Sequence, residues 1–193
     1  PTLSSAASDV YKRQDKASEE LNRFNDYVIQ NNYVDLPVVG IEPSCLLTFN
    51  DEYQTLKNVN NREKIQNKFY LLEEFILEQI RNNNNIKANK FDQNVLIHGH
   101  CHQKSQDRMK GLTNLLSELN INNKMIESSC CGMAGSFGYD SKTYEVSKKM
   151  ANLSLIPAIN NSSEKDFIVA NGTSCRHQIS DLSEKKGKHV SEL

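Results

Sequence analysis

The residues with the most specific chemistry in this 193-residue chain are its five cysteines, Cys45, Cys101, Cys130, Cys131 and Cys175. Their number is odd and their spacing is wide, unlike the dense, even set of a small secreted protein stabilised by disulfides. We therefore expect free thiols in a cytoplasmic protein, which could also be peripheral at the inner membrane. Thiolates are soft ligands that select zinc or iron–sulfur clusters over hard cations.

The most informative motif is the adjacent pair Cys130 and Cys131, which is followed by Gly132, Gly135 and Gly138. At a turn between a strand and a helix, two neighbouring sulfurs can reach the same metal cluster. Glycines let the backbone approach, so that its N–H groups point at sulfur. Two buried structural cysteines are the less favoured interpretation, and the run matches neither the dinucleotide nor the P-loop phosphate pattern.

A second cluster places His98, His100 and His102 around Cys101. In an extended segment the three imidazoles share one face and the thiol takes the other. One interpretation is a mixed cysteine–histidine metal site. The other is a set of histidines at a strand end that bond the backbone or line a pocket. A closed zinc knuckle is poorly supported, because the chain has no C-x-x-C motif.

Hydrophobic periodicity predicts helices that alternate with short strands. The predicted strands span residues 37–41, 94–98, 124–127 and 166–170. The predicted helices span residues 18–30, 46–56, 63–80, 103–119, 141–159 and 175–184. Strands separated by helices indicate a parallel sheet, and ligands of such sheets bind beyond the carboxyl ends of the strands. Cys45, Cys101, Cys130 and Cys175 each follow a predicted strand by a few residues.

An internal repeat indicates how the chain is organised, because residues 38–45 align with residues 168–175 as strand, turn, Ser-Cys and helix. We predict an α/β fold of two pseudo-repeated lobes with parallel sheets flanked by helices, the first lobe being truncated. Residues 15–81 form what remains of the first lobe, 82–93 a linker and 94–193 the second lobe. Residues 1–14 are interpreted as an artefact, because residues 4–14 read as a translated sequencing adapter.

Composition excludes several classes of function. The formal net charge of -1 removes the electrostatic case for nucleic acid as a partner. No apolar run approaches the roughly 20 residues of a transmembrane helix. The expected chemistry is therefore that of the thiols.

Four segments together resemble a known family: residues 42–48 (EPSCLLT), 100–104 (HCHQK), 130–138 (CCGMAGSFG) and 174–179 (SCRHQI). They are similar to the cysteine-rich CCG domain of FAD-linked 2-hydroxyacid dehydrogenases and of glycolate and lactate oxidase iron–sulfur proteins. That domain is related to the cysteine-rich subunit of heterodisulfide reductase.

The resemblance implies an iron–sulfur cluster, 4Fe–4S or related, on metal-ligand positions. These positions are Cys101, Cys130, Cys131 and Cys175. Cys45, also a candidate metal ligand, is expected either to face the same region from the first lobe or to lie at a second site in that lobe. The residues expected to contact the cofactor are Gly132, Gly135, Gly138, His100 and His102. One position departs from the pattern, because Gly172 stands where heterodisulfide reductases have the first cysteine of a C-x-x-C motif. This leaves a four-thiol cluster or another metal, such as zinc, as the expectation.

The resemblance further implies a C-terminal electron-transfer fragment that is inactive alone. FAD would lie in a missing upstream part, so the expected partners are an FAD-binding dehydrogenase domain or subunit and a quinone or cytochrome acceptor. Two alternatives remain open: a zinc-stabilised structural or assembly domain, and a thiol–disulfide redox subunit like heterodisulfide reductase.

Overall fold

The computed structural model of the protein describes residues 5–65, 68–82 and 91–193. These residues divide into two compact units. The first contains the chain up to Val39 and residues 45–70, and the second contains residues 40–44 and 71–193. None of the described helices is long and apolar enough to cross a membrane.

The first unit is built around a long amphipathic helix, α1 (Ser5–Gln30), whose Leu21 and Val28 are buried. Aromatic rings supply much of its remaining apolar contact. The ring centroids of Phe24 and Phe49 lie 5.4 Å apart, and those of Phe49 and Phe69 lie 4.4 Å apart in a stacked pair. Such pairs contribute about 0.5–1.5 kcal/mol beyond the area that they bury.

Two sheets are present in the described residues. Strands β1 (Val38–Gly40) and β2 (Phe69–Leu71) form a two-stranded sheet. A four-stranded sheet has the order β4-β3-β5-β6 and consists of β3 (Val95–Ile97), β4 (Asn123–Met125), β5 (Phe167–Val169) and β6 (Gly187–Lys188). Strand β3 pairs in parallel with both β4 and β5, and β5 pairs in parallel with β6. The predicted α/β class with helices flanking parallel strands is therefore confirmed.

The remaining described α-helices are α2 (Pro43–Leu46), α3 (Glu52–Thr55), α4 (Arg62–Ile65), α5 (Leu72–Arg81), α6 (Cys101–Ser105), α7 (Met109–Glu118), α8 (Tyr144–Asn152), α9 (Leu155–Asn160) and α10 (Thr173–Leu182). Helices α5 and α7 cover one face of the four-stranded sheet, and α8, α9 and α10 cover the other. Neighbouring strand residues serve opposite faces, because side chains alternate along a strand. Ile168 accordingly joins the α9–α10 side and Val169 the α5–α7 side.

The helix predicted over residues 63–80 is wrong in its middle, where Phe69–Leu71 form strand β2. The segment from Phe69 to Leu72 is a short run of apolar and aromatic residues, which periodicity alone cannot assign to helix or strand. Phe69 and Leu71 are both buried while Tyr70 between them is less so, which is the period of two of a strand.

Three further predicted helices are broken. Residues 103–119 contain two helices, and Asp107 between them has a positive φ of 52°. Residues 141–159 contain α8 and α9, and Pro157 in the first turn of α9 has no N–H with which to continue an earlier helix. Residues 46–56 contain the end of α2, a 3₁₀ turn (Leu47–Asn50) and α3. The short strand β6 was not predicted.

The proposed lobe boundaries and the internal repeat stay predictions. Most of the predicted linker, residues 83–90, and residues 1–4 of the predicted artefact lie outside the described residues. Helix α1 begins at Ser5, well before the predicted start at residue 18, so part of that N-terminal segment is helical.

Replacing a residue of the α7 face tests the packing of the sheet. Leu116 is 0% exposed among the strand side chains, whereas Leu153 is 76% exposed. Leu116→Ala should lower the free energy of unfolding by about 2–5 kcal/mol, because it removes buried methyl groups and leaves a cavity. Leu153→Ala should change it by less than about 0.5 kcal/mol. Urea unfolding followed by circular dichroism measures both, and equal losses would contradict the packing described.

Candidate metal centre

Three loops meet at the carboxyl edge of the four-stranded sheet, because β3, β4 and β5 run in the same direction. Cys101 begins the helix that follows β3, Cys130 and Cys131 lie in the loop after β4, and Cys175 lies in the first turn of the helix after β5. All four are free thiols, and Cys131 and Cys175 are buried.

Cys131 and Cys175 form a hydrogen-bonded pair of thiols. The hydrogen bond from Cys175 lowers the pKa of Cys131 to about 4, against the effect of burial, and a bond from the Met133 backbone and the nearby His98 ring act in the same direction. The same bond raises the pKa of Cys175, to which burial adds. Cys131 is therefore the thiolate of the pair, and Cys175 holds the proton.

Cys101 and Cys130 form the second pair. Burial raises the pKa of the Cys101 thiol to about 11, and its hydrogen bond to Cys130 contributes in the same direction. The backbone N–H of Gly132 donates to Cys130 Sγ over 3.2 Å. Electrostatic interaction with Cys101 and Cys130 also raises the pKa of Cys175, so all four sulfurs lie within electrostatic range of one another.

A buried imidazole completes this group. A ring nitrogen of His98 and the sulfurs of Cys131 and Cys175 all lie within 4.8 Å of one another. His98 Nε2 and His102 Nδ1 are buried and have no nitrogen or oxygen partner. Thiols beside imidazole nitrogens with unmet bonding capacity are a donor set for zinc or an iron–sulfur cluster, so the residues present fit such a group.

His100 has a different role from the other two imidazoles. Its Nδ1 accepts a hydrogen bond from the backbone N–H of His102 over 3.2 Å and so caps helix α6. A Cβ built on Gly172 would lie only 2.3 Å from His100 Cδ2 and 3.2 Å from Cys175 Sγ. The absence of a side chain at position 172 therefore gives His100 its place beside Cys175.

Gly132 shapes the loop that carries the adjacent cysteines. Its φ is +92°, and a Cβ there would meet the carbonyl oxygen of Ser147 at 2.3 Å. Gly138 packs against Met133, whereas Gly135 faces open space. Of the three glycines predicted to contact a cofactor, Gly132 is the one whose N–H points at a sulfur.

Polar side chains hold this loop from outside the thiol group. Lys104 Nζ donates to the carbonyl oxygens of Ser128 and Ser129, and its charge favours the thiolate of Cys101. Gln178 Nε2 donates to the carbonyl oxygen of Cys131 over 2.9 Å and to Ser147 Oγ over 2.9 Å. These bonds hold the loop that carries Cys130 and Cys131 in place.

Two carboxylates connect the cysteine-bearing helices to other elements. Glu73 is 1% exposed, and its Oε1 accepts from Gln103 Nε2 over 2.7 Å and from Asn171 Nδ2 over 2.9 Å. Glu42 Oε2 accepts from the N–H and the hydroxyl of Thr173 over 2.8 and 2.7 Å. Glu42 thus caps helix α10, whose N-cap residue is a glycine.

The structure brings Cys131 and Cys175 within 4.8 Å of each other and pairs Cys101 with Cys130 at the same edge of the sheet. His100 lies near Cys175, and His102 follows Cys101 in helix α6. Cys45 lies in helix α2, is exposed and belongs to the first unit. Sequence reasoning noted His98 but left it out of the site, although its position directly after β3 was a signal for including it. The hydrogen bonds of Glu73 and Glu42 could not be predicted from the sequence, because their partners are distant in the chain.

Parallel strands whose carboxyl ends gather buried thiols define a cysteine-rich metal-binding domain of the α/β class. Residues 95–180 match the family of the cysteine-rich domain, CCG. This match confirms the expected resemblance for the motifs that lie within residues 95–180. A search of solved structures found no match.

Several curated proteins are similar to the chain at low identity. D-2-hydroxyglutarate dehydrogenase of Pseudomonas putida is 22% identical over 82% of this chain, and that of Haemophilus influenzae is 24% identical over 80%. One of the subunits of anaerobic glycerol-3-phosphate dehydrogenase of Escherichia coli K12 is 23% identical over 75%. The matched regions cover 15% of the first two proteins and 36% of the third, so the chain spans a minor part of these relatives.

Replacing glycines tests the loop geometry. Gly132→Ala should lower the free energy of unfolding by more than the roughly 1–2 kcal/mol expected from positive φ alone, because the new Cβ meets the Ser147 carbonyl oxygen. Gly135→Ala is the control, since its φ is +67° but its surroundings are open. Urea unfolding compares the two variants, and an equal effect would contradict the described contact.

The Glu73→Gln variant tests the buried carboxyl. Burial raises the pKa of Glu73 from 4.5 to about 7, so the folded state holds this proton more tightly than the unfolded state does. The resulting stabilisation is complete below pH 4.5 and is lost as the pH rises to 7, which amounts to about 3 kcal/mol. In the variant this loss should be absent.

Urea unfolding of both proteins at pH 4.5, 6 and 8 measures the effect. Burial lowers the pKa of His100 and of His189, which gives the opposite pH dependence near pH 6.5. Subtracting the unfolding free energy of the variant from that of the wild type removes the contribution of the histidines, because both proteins carry them. Parallel pH profiles for the two proteins would show that Glu73 does not take up a proton in this range.

Proposed function

We propose that this chain is the iron–sulfur electron-transfer domain of a flavin-linked dehydrogenase that oxidises a 2-hydroxyacid of the D-lactate, glycolate or D-2-hydroxyglutarate type. The observation that supports the proposal is that four cysteines lie in three segments at one edge of a parallel sheet, with Cys131 and Cys175 within 4.8 Å of each other. Four cysteine thiolates are the usual ligands of a [4Fe–4S] cluster. The relatives named as dehydrogenases support the broader assignment to oxidoreductases.

Each residue of the group has a role in this proposal. Cys101, Cys130, Cys131 and Cys175 are the thiolate ligands, and a bound cluster supplies one-electron transfer. Lys104 offsets part of the negative charge that thiolate ligands bring into a half-buried site. Met133 is buried behind the thiols and keeps water from that side.

The partners follow from the same proposal. An FAD-binding dehydrogenase domain or subunit takes the hydride from the substrate, and a quinone or cytochrome accepts the electrons. No described residue of this chain is assigned a contact with the hydroxyacid, so the chain alone is proposed to be inactive. The preference for D-2-hydroxyglutarate and related acids is supported by the relatives from Pseudomonas and Haemophilus.

A zinc-stabilised domain is the second candidate, and the triad of His98, Cys131 and Cys175 favours it. Mixed nitrogen and sulfur donors in one small group are common in structural zinc sites. In that case the metal would hold the loops together, and no electrons would pass.

Anaerobic reconstitution of the chain with iron and sulfide tests the proposed function. The product should show the broad visible absorbance of an iron–sulfur cluster, which dithionite should bleach and ferricyanide should restore. Cys131→Ser should remove the absorbance, because a neutral hydroxyl is a poor ligand for iron. Cys45→Ser is the matched control and should keep it, since Cys45 belongs to the other unit.

Two results would contradict the proposed function. One is a reconstituted absorbance that survives Cys131→Ser as well as it survives Cys45→Ser. The other is a bound cluster that dithionite and ferricyanide cannot cycle, since a centre that cannot change its charge transfers no electrons.

A further inference from the structure

His98 is a buried imidazole with one nitrogen left without a partner. The side chain follows strand β3 directly and is 1% exposed. Its backbone N–H donates to the Val169 carbonyl oxygen over 2.8 Å, and its Nδ1 lies 2.8 Å from Ser128 Oγ. Nε2 has no nitrogen or oxygen partner. A buried polar atom left unpaired costs about 1–3 kcal/mol, so such an atom needs an explanation.

The surroundings of Nε2 supply that explanation. A ring nitrogen of His98 and the sulfurs of Cys131 and Cys175 lie within 4.8 Å of one another, and Nε2 is the ring nitrogen that has no nitrogen or oxygen partner. Two metal–sulfur bonds of about 2.3 Å span at most about 4.6 Å, and a metal–nitrogen bond is about 2.0–2.1 Å. The three atoms are therefore close enough to share one metal ion after a small movement.

The Ser128 hydroxyl decides which nitrogen is available. When Nδ1 carries the hydrogen and donates it to Ser128 Oγ, Nε2 presents its lone pair to the two sulfurs. Metal-binding histidines are commonly fixed in this way by an acceptor on the second ring nitrogen. In the reverse tautomer, Nε2–H would donate to the thiolate of Cys131, which is a hydrogen bond rather than a metal bond.

His100 lies in the same region but cannot play this part. Its Nδ1 accepts the hydrogen of the His102 backbone N–H, so in the neutral ring Nε2 carries a hydrogen. His100 is thus a donor toward its surroundings. Metal binding through His100 Nε2 would require giving up the hydrogen bond that caps α6.

We infer that His98 is a nitrogen ligand of the metal centre, bonded through Nε2 beside the sulfurs of Cys131 and Cys175, and held in the required tautomer by Ser128. This inference rests on the metal centre of the proposed function and adds to it a mixed nitrogen and sulfur donor set. In this arrangement the neutral imidazole binds in addition to the thiolates and brings no further negative charge to the centre.

X-ray absorption of the Zn²⁺-loaded chain, prepared anaerobically, tests the inference without any activity measurement. The wild type should show sulfur scattering together with the outer-shell scattering of one imidazole. His98→Ala should lose the imidazole contribution and bind Zn²⁺ at least about 10-fold more weakly. His177→Ala is the matched control and should change neither, because His177 is bonded to the Tyr139 hydroxyl outside the thiol group.

Two further variants keep the test decisive if His98→Ala fails to fold. Ser128→Ala should keep the imidazole scattering and weaken Zn²⁺ binding about 10–100-fold, which is the usual effect of losing the partner of a ligand. Replacing His100 and His102 together by alanine should also keep the imidazole scattering, since neither is its source.

The outcomes separate this inference from the proposed function. A wild-type shell of sulfur alone, or imidazole scattering that persists in His98→Ala, overturns the role of His98 and leaves the thiolate centre standing. Loss of imidazole scattering in the His100 and His102 double variant also overturns it. A chain that binds no metal overturns both the inference and the proposed function.

Discussion

The parallel pairing of β3 with β4 on one side and β5 on the other is the constraint on which the rest of the site depends. Because the three strands end at the same edge, the loops that follow them must leave the sheet side by side. Thiols that are up to 74 residues apart, such as Cys101 and Cys175, therefore become neighbours. The two apolar layers keep this edge fixed, since β3 and β5 each contribute side chains to both layers.

Metal binding at these thiols displaces their protons. Hydrogen bonding leaves Cys131 as a thiolate, while Cys175 and Cys101 hold protons because their pKa values are raised. Soft ligands of this kind lose their protons when a metal binds, so affinity and folding become linked to pH. Three groups are already placed to stabilise the thiolates. The N–H of Gly132 donates to Cys130, that of Met133 donates to Cys131, and the charge of Lys104 favours the thiolate of Cys101.

Much of the site could be predicted from the sequence, because cysteines that directly follow the strands of a parallel sheet lie at its carboxyl edge. The adjacent pair Cys130–Cys131 and its glycines identified the loop, and Gly132 has the positive φ that explains its residue type. The strand at Phe69–Leu71 was missed because a short apolar run has no distinctive period. The breaks near Asp107 and Pro157 were missed because the apolar stripe continues across them.

Other features depend on contacts that no local pattern contains. Glu73 meets Asn171, which is 98 residues away, and Glu42 meets Thr173, which is 131 residues away. The unpaired state of His98 Nε2 also appears only once the three loops are assembled. Sequence spacing indicates which side chains reach the sheet edge. Which ring nitrogen of His98 can bind a metal depends on the hydrogen bond between Nδ1 and Ser128, which appears only in the structure.

Elemental analysis of the chain purified under strict anaerobic conditions shows whether these thiols hold an iron–sulfur cluster. Iron, zinc and acid-labile sulfide would be measured on the same sample. We expect iron and sulfide in equal amounts with little zinc. Zinc without sulfide would contradict it and favour the structural domain, and a metal-free protein with a titratable dithiol would contradict it in favour of thiol–disulfide chemistry.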